Sequence, residues 1–142
     1  MYKNIVIAVD LSKEYSWQHI SSVAFNLATA FKAQLHFVNI VPGIGVSIIE
    51  DYLPVEWMNN QIDQNSKKIE NLIDVYIPSE IKVKTYVGQG IISDEIIKYV
   101  NAVESDLILP PAIWPDMEEH IIGPNGLKII KSSTVSVFIV RG

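Results

Sequence analysis

Apolar and polar residues fall along the chain in blocks whose period switches between that of a strand and that of a helix. Ile5 to Val9 form an unbroken run of strand-favouring apolar residues, the pattern of a strand buried on both faces of a parallel sheet. Trp17, Ile20, Val23, Ala24, Leu27, Ala28 and Phe31 then recur at helical spacing and predict a first helix with one apolar stripe. Gln34 to Ile40 reads as a second strand. Val41 to Pro54 is a long connection rich in Ile and Val, with Pro42, Gly43 and Gly45 as breakers. A second helix is expected from about Val55 to Val75, ended by Pro78. Ile81 to Val87 is a third strand, and its alternation of apolar residues with Lys82, Lys84 and Tyr86 suits a sheet edge. Gly88-Gln89-Gly90 is read as its break, and Ser93 as the cap of a third helix carrying Ile96, Ile97, Val100 and Val103. Leu107 to Leu109 is a short fourth strand running into Pro110-Pro111. A last helix, around Leu127 to Lys131, precedes a final strand from Val135 to Val140.

Alternating strands and helices imply right-handed crossovers and an α/β fold, a single open parallel sheet with helices on both faces. A length of 142 residues fits one domain over 1–142, with no repeat or linker. Composition narrows the partners. The formal charge is −5 and the lysines are scattered, so a phosphate backbone is repelled on balance and nucleic acid is not expected. The absence of cysteine excludes disulfides, thiolate metal sites and thiol nucleophiles. The first residues lack the apolar core and cleavage site of a signal peptide, and no apolar run approaches a membrane span; a soluble, cytoplasmic protein is expected.

The first strand stops at Asp10, followed by the small hydroxyl of Ser12. Ligands of open α/β sheets sit beyond the carboxyl ends of strands, so an acid there is well placed for binding. The same residues also serve to turn the chain and cap the next helix, and the sequence leaves both readings open.

Along its whole length the chain resembles the universal stress protein family. The resemblance rests on Ile5-Val6-Ile7-Ala8-Val9-Asp10-Leu11-Ser12, on Gly90 before the third helix and on Ser105-Asp106-Leu107-Ile108-Leu109. It continues in the ending from Gly123 to Arg141. It implies a five-stranded sheet in the order 3-2-1-4-5, Rossmann-like, with Asp10 and Pro110-Pro111 facing each other across the crevice at the switch point. Nucleotide-binding members carry Gly-x2-Gly-x9-Gly-(Ser/Thr) after strand four, where glycines let the backbone approach phosphates that free amides bind. Laid back from Gly123, this chain offers Pro110, Ile113, Gly123 and Pro124 at those positions, and counting from Asp106 gives Pro111 and Trp114 for the first two. Proline has no N–H to donate, Ile and Trp add bulk, and Asp116, Glu118 and Glu119 add negative charge. Only Asp10, which contacts the nucleoside end in binding members, and Gly123 match residue by residue. The chain therefore looks like the universal stress protein A branch, which lacks the glycine loop. The expected vestigial crevice comprises Asp10, Gly123, Asn125 and Gly126. The segment Gly123-Pro124-Asn125-Gly126 reads either as a remnant anion site or as a turn with Pro at a helix start.

Other chemistry has thin support. Asp116, Glu118, Glu119 and His120 resemble a metal cluster, but neighbouring loop acids are more often a solvated charge run, and no metal is expected. His36 and His19 read as packed or surface residues. No nucleophile elbow, Walker loop or dinucleotide fingerprint is present, so no catalytic residue is assigned and an enzyme is not expected. Val46, Ile48, Ile49, Tyr52, Leu53, Val55 and Trp57 make the second connection greasy, either as a lid or partner surface or as packing over the sheet edge. Trp114 reads as a contact residue or a plug in the vacated nucleotide space. The resemblance also implies a homodimer through the edge strand Val135 to Val140. Together these observations give a non-enzymatic stress-response protein without a cofactor, acting through protein contacts. The alternative is a module that binds ATP or AMP through an altered loop.

Overall fold

The apolar run near the start becomes β1 (Asn4–Ala8), and it lies at the centre of the sheet with Ile5, Val6 and Ile7 wholly buried. In this computed structural model residues 1–12, 16–42, 55–111 and 124–141 are described, the side chains of residues 16, 17 and 55 apart. β1 pairs in parallel with β2 (Gln34–Pro42) on one side and β4 (Leu107–Leu109) on the other. β3 (Val83–Gly90) pairs with β2 at one edge, and β5 (Ser136–Val137) pairs with β4 at the opposite edge. The order is β3-β2-β1-β4-β5, the one that the resemblance implies.

Because side chains alternate across a strand, β1 feeds two cores. Ile5 and Ile7 meet Ile20, Ala24 and Ala28 of α1 (Ser16–Phe31) and Ile69 and Leu72 of α2 (Val55–Tyr76). Val6 and Ala8 meet Ile96 and Val100 of α3 (Ile92–Ala102) and Ile129 of α4 (Pro124–Ser132) on the other face. Phe37, fully buried from β2, is the largest side chain of the first core. Burying one of that size contributes roughly 1.5–3 kcal/mol.

The boundaries correct three expectations. Gly88-Gln89-Gly90 does not end β3; the ladder with β2 runs on to Pro42 and Gly90. Gly88 is buried because the Tyr86 ring folds over it, leaving only 2.8 Å to the position a Cβ would take. Ser93 does not cap α3. The helix starts at Ile92 behind Ile91, without a side-chain cap, and the buried Ser93 Oγ lies in the first turn with no partner. The reorientation falls to Gly90 instead, at φ +138, with Glu95 Cγ 2.9 Å from the position of a would-be Cβ. Finally, the edge strand expected over Val135 to Val140 shrinks to Ser136–Val137, extended by one bond from Phe138 N–H to Ile108 O. Its neighbour β4 ends at Leu109 before two prolines, which cannot donate to a ladder.

Candidate functional site

At the carboxyl end of β1 the Asp10 carboxylate turns back on its own loop. Its Oδ1 accepts the Ser12 N–H at 2.9 Å and the Ser12 hydroxyl at 2.6 Å. Both residues are exposed, and both line a crevice of about 650 Å³ at the switch point between β1 and β4. That volume falls within the roughly 300–1,000 Å³ usual for small-molecule sites. The turn and the ligand-facing position therefore coexist in the same residue.

One wall is polar. β2 runs past the end of β1, and its alternation sends Val38 and Ile40 into the α3 side. Asn39 is turned the other way, toward α2. It is buried, its Nδ2 donates to Val9 O at 3.0 Å, and its Oδ1 accepts from Asn65 Nδ2 at 2.9 Å. Lys68 Nζ, further along α2, donates to Leu11 O at 2.9 Å. Gln61, Asn65 and Lys68 all line the crevice, at the spacing that places residues on one helical face. The facing wall is largely apolar, with Ile92 and Ile96 from α3 and Pro111 after β4.

Of the expected crevice residues, Asp10, Asn125 and Gly126 do line one cavity. Gly123 lies outside the described residues, as do Ile113, Trp114, Asp116, Glu118, Glu119, His120 and the connection over 43–54. Pro124 is the first residue of α4, the place where proline is favoured at a helix start. Pro111 joins the lining, while Pro110 is buried. Lys68 is the one cation and Asp10 the one anion among the described lining residues. α3 begins nearby with Asp94 and Glu95 in its first turn, so its positive dipole end is already met by carboxylates. No group of three or more potential metal ligands occurs among the described residues.

Of the described histidines, His36 is packed and His19 is tied down, the packed or surface roles expected of them. His36 is buried, with Nε2 donating to Asn4 Oδ1 and Nδ1 accepting the Tyr99 hydroxyl, each at 3.0 Å. Burial, and then the charge of Lys84, hold its pKa below the usual 6.5; burial, and then Tyr86, push that of Tyr99 up. His19 Nε2 donates to Arg141 O at 2.9 Å. Sequence reasoning missed Asn39, Gln61, Asn65 and Lys68. The available signals were an amide inside the apolar run of β2 and polar residues at helical spacing in α2.

The fold and this crevice define an α/β protein built on one parallel sheet, with a cavity at the carboxyl ends of its strands. The model of the universal stress protein family matches residues 1–141, and the chain belongs to that family. Universal stress protein G of Salmonella typhimurium is 20% identical over 146 residues, covering 99% of this chain and 100% of that protein. Universal stress protein UspA from Lactobacillus plantarum superposes with a TM-score of 0.78 at 21% identity, over 99% of this chain and 98% of that one. The universal stress protein from Archaeoglobus fulgidus in complex with dAMP gives a TM-score of 0.69 at 15% identity, over 99% and 98%. No helix among the described residues is long and apolar enough to cross a membrane.

Proposed function

We propose that this family member is a non-enzymatic stress-response protein without resident ATP. In this reading it acts as a cytoplasmic homodimer through protein contacts, in the manner of the A branch. The observation that carries the reading is the pair Pro111 and Pro124 in the crevice lining, where a phosphate cradle needs backbone amides. Asp94 and Glu95 at the start of α3 weigh the same way. Dimerisation is supported by the open outer edge of β5 and by Leu127, Ile130 and Phe138, apolar residues of the last elements that are 45%, 38% and 42% exposed. Native purified protein, denatured and assayed for nucleotide, is expected to release none, and ATP is expected to leave its melting temperature unchanged. Light scattering at micromolar concentration is expected to give twice the chain mass, and Phe138→Glu half of that value. Stoichiometric ATP or a monomeric wild type overturns the corresponding half of the reading.

A second reading, a module holding ATP or AMP through an altered loop, is favoured by Asp10, Asn125 and Gly126 sharing one cavity. The dAMP complex of the Archaeoglobus relative points the same way. A melting temperature that rises with AMP but not with inorganic phosphate would favour it.

A further inference from the structure

We propose that the outer edge of β3 pairs with an extended peptide strand of a partner protein, one that alternates apolar and acidic residues. The proposal deepens the reading that this protein acts through protein contacts, and it rests on that reading. β3 ends the sheet on its side. Leu35 N–H bonds Lys82 O, and successive residues of a strand turn their peptide groups to opposite sides. Val83, Thr85, Val87 and Gln89 therefore direct N–H and C=O away from β2, and these groups meet no partner among the described residues. At about 3.3 Å per residue the open row is roughly 20 Å long. Backbone pairing along such an edge supplies affinity, and the side chains on its two faces supply specificity.

The two faces of β3 differ in character. On the α2 side, Val83 borders a cavity of about 520 Å³ whose walls include Ile73, Tyr76, Ile77 and Ile81. Val75, 73% exposed, lines it too. An apolar side chain of the added strand finds cover there, whereas Asp74 in the same lining repels an acid. The α3 side reverses the preference. Lys84 stands opposite His36 in the ladder, and Tyr86 stacks on Tyr99 of α3 with 5.0 Å between ring centroids. Lys82 and Lys84 are exposed on that side and form no ion pair among the described residues. Carboxylates at every second position of the added strand complement them. A second copy of β3 does not fit, because Val83–Gly90 holds no acid and brings a lysine of its own. Lysines of this kind keep a sheet edge from pairing with itself.

Isotope-labelled full chain titrated with a capped eight-residue peptide alternating valine and glutamate, as long as β3, tests this by NMR. Amide shifts are expected to concentrate on Val83, Thr85, Val87 and Gln89 and to be smaller at Lys84, Tyr86 and Gly88, whose N–H groups face β2. The same peptide with lysine in place of glutamate is expected not to bind. Lys82→Glu combined with Lys84→Glu should weaken the acidic peptide about tenfold and let the lysine peptide bind. Thr85→Pro removes one outward N–H and no ladder bond, so it should abolish binding with a melting temperature near that of wild type. If it does not fold, the exposed lysine pair carries the test. Silence from the acidic peptide, shifts away from β3, equal binding of the two peptides, or unchanged affinity in the double variant overturns the proposal. A mass beyond the dimer that Thr85→Pro abolishes makes a second copy the occupant and overturns it as well. Bound ATP or a monomeric wild type is read from the protein without peptide, and strikes the preceding reading instead.

Discussion

The two rims of the sheet use similar residues to different ends. At the amino-terminal rim Asp106 accepts the Lys3 N–H at 2.8 and 3.1 Å and the Asn4 N–H at 3.1 Å, joining residues 103 and 102 positions apart. Ser105 Oγ lies 2.8 Å from Asn4 O and 2.9 Å from Leu107 O, sharing its proton between the two strands. Asn4 Oδ1 also receives His36. At the carboxyl-terminal rim, Asp10 bonds a neighbour two residues on, and Gln61 bonds nothing described. An acid whose contacts span the chain is part of the scaffold, while one whose contacts are local is left available. The resemblance in Ser105-Asp106-Leu107-Ile108-Leu109 is thus explained by strand registration rather than by ligand chemistry.

The sharpest way to break this contrast is Asp106→Ala. Bonds from backbone amides to a carboxylate contribute about 1.5–3 kcal/mol, and urea unfolding should show a loss of about 2 kcal/mol. A loss below about 0.5 kcal/mol, the size of an ordinary surface change, would dissolve the distinction between the rims.

A smaller effect comes from His36. Its folded pKa lies below 6.5, so the unfolded chain takes up the proton first as pH falls. Its contribution is fully present above about 6.5 and is lost as pH drops through the folded value. His36→Gln should remove that part of the slope between wild-type and variant stability curves. Lys84→Gln, which deletes the second cause, should move the imidazole midpoint upward in an NMR titration. An unmoved midpoint would leave burial as the whole cause.

The smallest change is expected for Asp10→Ala, within about 0.5 kcal/mol of wild type, because its bonds to Ser12 join residues only two positions apart and hold no second strand. A loss matching that of Asp106→Ala would make Asp10 a scaffold residue after all.

The central strand was legible because burial on both faces leaves the unbroken apolar run Ile5 to Val9, and the edge position of β3 because its apolar residues alternate with Lys82, Lys84 and Tyr86. The ends of β3 and β5 were not, since each depends on how far a neighbouring strand extends. Gly88 and Gly90 stay in the ladder because β2 reaches Pro42, and Val135 to Val140 cannot all pair because β4 is cut short by Pro110. Asp10 was singled out by its place at a strand's carboxyl end, and Asn125 and Gly126 by the family resemblance in the stretch from Gly123; the three line one cavity. Gln61, Asn65 and Lys68 escaped notice because, read by period alone, they look like the solvent face of an amphipathic helix. Only the overreach of β2 turns that face toward a cavity.

β2 passes its last partner in β1, Val38, by the four residues Asn39 to Pro42, and over that stretch its ladder is with β3. At about 3.3 Å per residue this makes a cantilever roughly 13 Å long. Two-stranded ribbons twist more than strands inside a wide sheet. Gly88 and Gln89 of β3 pair with Ile40 and Val41, which themselves line the crevice, so a single strand separates this edge of the sheet from the cavity.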